Sequence, residues 1–252
     1  MKTALITGGG SGIGQALAWE LAQRGLRVFI VGRRPEKLAL TVQAFPENIA
    51  MISADISTPE GRAYTVSKLT DIQLDYLIHN AATAAPFALI GSLELQEWRQ
   101  TLATNLEAPL FLTQALLPQL KLESRILNIS SGLAHHALKG VSTYCTSKAG
   151  LYMVYLAFNA ELNSRSIYAG SVMPGIVDTE MQAHMRTQDA SNLPDVAMFK
   201  YFKTEGTLRS GSSVAKLLAQ FLQQSSNECF TQKDWAIEEL ELIFAKEGCT
   251  RD

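Results

Sequence analysis

The chain has 252 residues, of which 47% are hydrophobic and 18% are charged, a composition that is ordinary for a globular protein. Lysine and arginine together number 22 and aspartate and glutamate 24, so the formal net charge is −2. This balance excludes a broad basic surface, and we expect no nucleic-acid partner. No apolar run approaches the roughly 18 residues that a membrane-spanning helix requires, so we expect no membrane partner.

The first residues lead directly into a predicted strand and then into glycines, without the apolar block and cleavage site of a signal peptide. The cysteines, Cys145, Cys229 and Cys249, are odd in number and scattered. They indicate neither a disulfide framework nor a zinc site. We therefore expect a cytoplasmic protein that holds no metal.

Short apolar strands alternate with helical patterns along the chain. Strands are predicted over residues 3–7, 27–31, 49–53, 74–78, 125–130 and 167–173. Helices are predicted over 13–24, from Pro35, from Pro59, over 94–117 and over 143–162. Proline is well placed at the start of a helix, because its missing N–H has no partner there. Strands of about five residues separated by helices indicate βαβ units in a parallel sheet that is covered on both faces.

We therefore predict an α/β protein with one domain, residues 1–252, built as a doubly wound Rossmann-type parallel sheet with helices on both faces. The stretch from about 178 to 210 is irregular and longer than most connections, so we predict a substrate-binding loop there. Its large apolar residues indicate either an adaptable lid or a satellite core. They are Met181, Met185, Met198, Phe199 and Phe202.

A glycine-rich turn, Thr7-Gly8-Gly9-Gly10-Ser11-Gly12-Ile13-Gly14, joins the first strand to the first helix. Glycines there let the backbone approach a pyrophosphate, and the helix N-terminus directs N–H groups at it. The turn predicts a dinucleotide site; the alternative is a merely flexible turn. The expected contacts are Gly8, Gly10, Ser11, Gly12, Ile13 and Gly14.

The end of the second strand indicates which dinucleotide binds. An acidic residue at this point would accept hydrogen bonds from ribose hydroxyls and select NAD. The chain has Arg33 and Arg34 instead, and a guanidinium suits a 2′-phosphate. We predict NADP(H) as cofactor; the alternative is two solvated arginines that open a helix.

Tyr144 and Lys148 are four residues apart in a predicted helix, so they share one face. A phenol with a pKa near 10 titrates too high for easy proton exchange near neutrality, and a nearby ammonium lowers that pKa. The pair therefore predicts a general acid/base for carbonyl reduction. Tyr64 and Lys68 have the same spacing, but only Tyr144 follows a serine, Ser131, at the carboxyl end of a strand, where ligands bind.

Six motifs resemble, in order and spacing, those of the short-chain dehydrogenase/reductase family. They are the glycine turn, His79-Asn80-Ala81-Ala82, Asn105, Asn128-Ile129-Ser130-Ser131, Tyr144-x-x-x-Lys148 and Pro174-Gly175. The resemblance runs to about residue 221. It implies that Tyr144 gives a proton to the carbonyl oxygen and that Ser131 orients this oxygen. Lys148 would hold the nicotinamide ribose and lower the pKa of Tyr144, and Asn105 would complete a proton relay through water.

The resemblance also implies the remaining cofactor contacts. These are Asp55 on the adenine with Ile56 beside it, Asn80 and Ala81 along the ribose, and Pro174, Gly175, Ile176 and Thr179 around the nicotinamide. Two positions depart from the family pattern: Ala82 replaces a usual glycine, and His79 replaces a usual asparagine. We expect His79 to be structural.

Three later segments are similar to the sepiapterin reductase and benzil reductase branch of the family: residues 138–140, 178–182 and 203–210. This similarity implies NADPH-dependent reduction of a ketone beside another carbonyl or a ring. In pterin-reducing members a carboxylate near the C-terminus anchors the ring, and Asp234 and Glu238 are candidates for that role. His135 and His136 either contact the substrate or are solvated loop residues.

We therefore expect an NADP(H)-dependent carbonyl reductase that acts on a small-molecule carbonyl compound. One alternative is a 3-oxoacyl-carrier-protein reductase, which would need a basic patch for its acidic carrier. Another is a non-catalytic NADP sensor, which need not keep the proton-transfer residues. Relatives pair the two long helices across a two-fold axis, which implies a homodimer or homotetramer.

Overall fold

The structure is a computed structural model that describes residues 1–246. Within these residues the strands are β1 (Thr3–Thr7), β2 (Arg27–Gly32), β3 (Ile49–Ser53), β4 (Leu74–His79), β5 (Leu120–Ile129), β6 (Ile167–Met173) and β7 (Asp234–Ala236). They form one parallel sheet in the order β3-β2-β1-β4-β5-β6-β7. The strand order reverses between β1 and β4, which opens a crevice at the carboxyl ends of these strands.

Helices connect the strands. Those of the described residues are α1 (Gly12–Gln23), α2 (Pro35–Gln43), α3 (Pro59–Ser67), α4 (Leu95–Leu102), α5 (Ala108–Leu116), α6 (Ser142–Leu162), α7 (Glu180–Arg186), α8 (Val196–Thr204), α9 (Gly211–Gln224), α10 (Asn227–Thr231) and α11 (Ile237–Ala245). A π-helical segment, Ala103–Glu107, joins α4 to α5. None of these helices is long and apolar enough to cross a bilayer.

Both faces of the sheet are covered, which confirms the predicted doubly wound α/β fold. Along β1, Ala4 and Ile6 belong to a core cluster with residues of α1 and α9, whereas Leu5 belongs to a second cluster with residues of α5 and α6. Side chains alternate between the faces of a strand. Because both faces are buried, the strands are apolar at successive positions rather than at every second one.

The bounds predicted for β1, β3 and β6 match the structure, but other elements differ. β5 begins at Leu120, five residues before the predicted start, and β7 was not predicted. β7 has only three residues, which is too short for a hydrophobic period to be recognised. The predicted helix over 94–117 is present, and its course includes the π-helical segment.

The segment from 178 to 210 is more ordered than predicted, since it contains α7 and α8. Its two ends are joined: Asp178 N donates to Arg209 O, and Arg209 N donates to Ile176 O, both at 2.9 Å. The expectation of an irregular stretch is therefore wrong. Helices of seven and nine residues fall below the window in which a helical period is detected.

The apolar residues of this segment form a third core cluster. Met185 and Phe199 are buried together with Tyr144, and Met181 packs against them. Met198 is more exposed. Of the two alternatives, a satellite core is therefore the one that applies to Met185 and Phe199. This core includes the predicted proton donor, Tyr144.

The cysteines differ in state. Cys145 is a buried free thiol, whereas Cys229 is disulfide-bonded. The scattered cysteines indicated no disulfide framework, and the bond at Cys229 was not predicted. Cys249 lies outside the described residues.

Candidate active site

The glycine turn lies at the crevice between β1 and β4. Gly8 has φ 71° and Gly12 has φ 57°, a region that favours glycine. A Cβ on Gly8 would lie 2.9 Å from the Cα of Ala81, and a Cβ on Gly14 would lie 2.4 Å from the carbonyl oxygen of Gly8. Larger residues at these positions would therefore push the turn away from β4.

Asn80 fixes this turn to the end of β4. Its Nδ2 donates to Thr7 O at 2.9 Å and to Gly8 O at 3.2 Å. The Thr7 hydroxyl oxygen accepts hydrogen bonds from the N–H groups of Asn80 and Ala81, both at 3.0 Å. The predicted ribose-side residues therefore lie against the glycine turn. The Ser11 side chain does not cap α1, so the first N–H groups of this helix can donate to a phosphate.

A cationic cluster follows the end of β2. Arg34 Nη2 donates to Ser11 Oγ at 3.2 Å and to Glu180 Oε2 at 2.8 Å. Lys37 Nζ lies 3.0 Å from Glu180 Oε1. Sequence reasoning missed Lys37 and Glu180. Lys37 lies three residues after Arg34, about one helical turn further, and this spacing was the available signal.

The other predicted adenosine contacts lie close to this cluster in the sheet. Arg33 is exposed at the end of β2. Asp55 follows β3, the neighbour of β2, and one of its carboxylate oxygens accepts a hydrogen bond from Ser57 N at 3.0 Å. Ile56 is buried in the core under this turn. The carboxylate of Asp55 is therefore held at the carboxyl end of the sheet, as the expected adenine contact requires.

The segment after β6 faces the glycine turn from the other side of the crevice. It contains Pro174, Gly175, Ile176 and Thr179. A Cβ on Gly12 would lie 3.1 Å from the Cγ2 of Thr179, so the two segments are in close contact. The Thr179 hydroxyl also caps α7 by accepting a hydrogen bond from Gln182 N.

Tyr144 and Lys148 project from α6 and are both buried. Lys148 Nζ lies 5.7 Å from the centre of the Tyr144 ring and donates to Ile129 O at 2.7 Å. Ile129 ends β5, and Ser131 follows two residues later. The structure thus brings the phenol, the ammonium group and the serine hydroxyl together, as predicted.

The pKa of Tyr144 differs from the expectation. Burial raises it to about 12, although a hydrogen bond with Ser131 acts to lower it. The net shift is therefore upward, because burial outweighs the groups that lower this pKa in the free protein. Burial also lowers the pKa of Lys148 to about 8, against the opposing effect of Asp234. At neutral pH the phenol is protonated and the lysine is mostly charged.

Asn105 is fully buried in the π-helical segment. Its Nδ2 donates to Thr83 O at 2.8 Å and to Ser147 Oγ at 2.9 Å, and its Oδ1 accepts from Thr83 N at 2.9 Å. The side-chain amide thus ties the loop after β4 to α6, one residue before Lys148. Asn105 therefore lies next to α6, but its side-chain amide is hydrogen-bonded to Thr83 and Ser147.

A buried carboxylate, that of Asp234, lies beside Ser130 at the end of β5. Asp234 Oδ2 accepts a hydrogen bond from Ser130 Oγ at 2.8 Å and lies 2.9 Å from His135 Nε2. Its side chain is only 3% exposed. The sequence offered Asp234, beside Glu238, as a candidate substrate anchor and did not indicate these partners. The enclosed carboxylate supports the end of β5 instead, and its charge favours the protonated form of Lys148.

The other candidates from the sequence have simpler positions. Glu238 is paired with Arg209 at 3.1 Å, and His136 is exposed. Burial lowers the pKa of His79 to about 3, so this residue is neutral, and it contacts Thr113 Oγ1 at 2.8 Å. These contacts support the structural role expected for His79.

The pair with matching spacing is remote from this chemistry. Tyr64 is 48% exposed, and Lys68 Nζ lies over its ring at 5.0 Å. Tyr64 and Lys68 therefore form part of a solvated helix face.

Comparison with known proteins agrees with this arrangement. A family model described as short chain dehydrogenase matches residues 2–190. Benzil reductase ((S)-benzoin forming) of Bacillus cereus is 29% identical over 235 residues, which cover 88% of this chain and 94% of the relative.

Solved structures share the fold. The KRED1-Pglu enzyme has a TM-score of 0.86 at 24% identity, over 93% of this chain and 100% of that one. Angucycline C-6 ketoreductase LanV with bound NADP has a TM-score of 0.77 at 25% identity, over 93% of this chain and 92% of that one. Since the family model covers most of the sequence, the chain belongs to the short-chain dehydrogenase/reductase family.

Proposed function

We propose that the protein is an NADP(H)-dependent carbonyl reductase in which Tyr144 donates the proton to the carbonyl oxygen. One observation carries this proposal: a buried, protonated Tyr144 lies beside Lys148 and is hydrogen-bonded with Ser131, at the carboxyl ends of the strands, where the glycine turn also lies. Family membership supports an oxidoreductase that acts on CH–OH and C=O groups.

The residues around the crevice fit a dinucleotide with a 2′-phosphate. The positive φ angles of Gly8 and Gly12 form a tight turn, and no side chain caps the first N–H groups of α1, which could donate to a pyrophosphate. Arg34, Lys37 and Ser11 would hold the 2′-phosphate, because two cations and a hydroxyl converge there. LanV, the 25% identical ketoreductase, has bound NADP. When bound, NADPH supplies the hydride.

Tyr144, Ser131 and Lys148 divide the proton chemistry among them. The high pKa of Tyr144 keeps its proton in place until charge develops on the substrate oxygen. The Ser131 hydroxyl donates to the same oxygen and stabilises this charge. Once the proton has left, the Lys148 ammonium, 5.7 Å from the ring centre, stabilises the phenolate.

A path for reprotonation would start at Lys148. The Asn105 side chain is used by Thr83 and Ser147, so a relay would run through its main-chain carbonyl. π-helical turns interrupt the regular hydrogen-bond ladder of a helix and often occur at functional sites. Water would connect this carbonyl with Lys148.

The substrate side is apolar. Met185, Phe199 and Val141 are buried around Tyr144, and Leu133 and Leu138 pack against them. Together with the benzil reductase relative, this lining favours an apolar or aromatic ketone beside a second carbonyl. A pterin is less well matched, because Asp234 is enclosed and Glu238 is paired.

A homodimer or homotetramer is also proposed. The helices that would meet carry exposed apolar side chains, such as Phe111 of α5 and Met153 of α6, which are 43% and 61% exposed. Burial of these side chains between copies would remove them from water. The mass measured by light scattering tests this assembly.

The experiment that tests the function is consumption of NADPH with three carbonyl substrates: a diketone such as benzil, a pterin ketone and a 3-oxoacyl thioester. We expect turnover of the diketone to be fastest. Preference for the thioester would favour the acyl-carrier reductase. Tight NADPH binding without turnover of any substrate would favour the sensor and contradict the proposal.

A further inference from the structure

A carboxylate lies where the proposed function places a phosphate. Glu180 Oε2 is 2.8 Å from Arg34 Nη2, and Glu180 Oε1 is 3.0 Å from Lys37 Nζ. Arg34 Nη2 also donates to Ser11 Oγ. The carboxylate of Glu180 is therefore ion-paired with both cations that are assigned to the 2′-phosphate.

Glu180 reaches these cations from a distant part of the chain. It begins α7, in the segment after β6, and it is 146 residues from Arg34 in sequence. Thr179, the preceding residue, contacts the glycine turn at Gly12. The hydrogen bond from Arg34 holds the pKa of Glu180 below its usual range, so the carboxylate is charged at neutral pH.

We propose that Glu180 is a specificity-determining residue that competes with the 2′-phosphate of NADP(H) for Arg34 and Lys37. The inference rests on the proposed NADP(H) function. Two anions that share one cation pair repel each other, so phosphate binding displaces the Glu180 carboxylate and releases α7 from α2. NAD(H) has no 2′-phosphate and leaves both ion pairs intact. Glu180 therefore lowers the affinity for NADP(H) selectively.

The size of the effect follows from exposure. The side chains of Glu180 and Arg34 are 50% and 51% exposed, and ion pairs at such positions are weak because solvent screens them. The loss of two weak pairs corresponds to a change of about 3- to 10-fold in the dissociation constant. The change should shrink at high ionic strength.

The test is the dissociation constant of NADPH and of NADH, measured by quenching of protein fluorescence without substrate. Glu180→Gln removes the charge and keeps the shape of the side chain. Glu36→Gln is the matched control, because Glu36 is an exposed acid in the first turn of α2. We expect Glu180→Gln to bind NADPH about 3- to 10-fold more tightly with less than about a twofold change for NADH. Glu36→Gln should show no such selectivity.

Unchanged or weaker binding of NADPH by Glu180→Gln would overturn the proposed competition. Unchanged binding would mean that the carboxylate has no effect on NADPH affinity, and weaker binding would mean that it orients the cations for the phosphate. The proposed cofactor preference has a separate readout. If wild-type protein binds NADPH no more tightly than NADH while Glu180→Gln gains affinity for NADPH, the preference is wrong and the competition is supported. If wild-type protein prefers NADPH and the variant gains nothing, the competition alone is wrong.

Discussion

Replacing Lys148 with methionine should stabilise the protein while it removes carbonyl reduction. Burial lowers the pKa of Lys148 from 10.5 to about 8, which corresponds to about 3 kcal/mol of destabilisation at neutral pH. Methionine also removes the 2.7 Å hydrogen bond from Lys148 Nζ to Ile129 O, at a cost of about 1 kcal/mol. The expected net gain in the free energy of unfolding is therefore about 2 kcal/mol.

The stabilisation expected for Lys148→Met depends on pH. The unfolded chain keeps Lys148 protonated up to about 10.5, whereas the folded protein releases the proton above about 8. Between these values the unfolded state binds more protons, so the stability of the parent protein rises with pH. The advantage of Lys148→Met is therefore full below pH 8 and shrinks towards pH 10.

Urea unfolding at pH 7 and at pH 10 measures both effects. Lys68→Met is the matched control, because Lys68 also lies four residues after a tyrosine but on an exposed helix end. We expect the control to change stability by less than about 0.5 kcal/mol. Lower stability of Lys148→Met at pH 7, or a gain of equal size at both pH values, would refute the reasoning.

Three further changes test other parts of the account. Asp234→Asn should move the alkaline decline of kcat for reduction to lower pH, because Asp234 raises the pKa of Lys148; a pH–rate profile identical to wild type would contradict this. Ser131→Ala should lower kcat about 10²- to 10³-fold, since a donor to the developing charge is lost. Stopped-flow reduction of a diketone measures this loss, and retained activity would contradict the role of Ser131. Arg125→Met should lower the free energy of unfolding by at least about 3 kcal/mol, measured by chemical unfolding. Fully buried Arg125 donates to the carbonyl oxygens of Leu222 and Ser225 near the end of α9, and methionine leaves both without this donor. Near-normal stability would show that these carbonyls find other partners.

The sequence was sufficient where local patterns determine the structure. The apolar runs of β1, β3 and β6 end at glycine, proline or polar residues, so their bounds were predicted correctly. The glycine turn and the spacing of Tyr144 and Lys148 are equally local signals. Placing the turn, the serine and the α6 pair at one end of the sheet then followed from the parallel topology.

Contacts between residues far apart in the chain could not be predicted from the sequence. Glu180 meets Arg34 across 146 residues, and Asp234 meets Ser130 across 104. No periodicity links such positions, because the pairing depends on how the segments after β6 and before α11 fold back on the sheet. Asp234 was therefore only a candidate substrate anchor beside Glu238, whereas the structure encloses its carboxylate.

The upward shift in the pKa of Tyr144 was not predicted, for a related reason. Spacing indicates that a lysine is near, but it does not show how deeply the phenol is buried. Burial penalises the phenolate, and in the folded protein this effect exceeds those of the neighbouring groups. The depth of burial is set by the third core cluster, whose helices α7 and α8 were not predicted.

The central claim is that the Tyr144 hydroxyl provides the proton for hydride transfer from NADPH. Single-turnover reduction of a diketone by Tyr144→Phe, compared with wild type at pH 7 and at saturating NADPH, tests it most directly. We expect a rate about 10²- to 10⁴-fold lower with nearly unchanged NADPH affinity. A rate within about twofold of wild type at equal occupancy would contradict it.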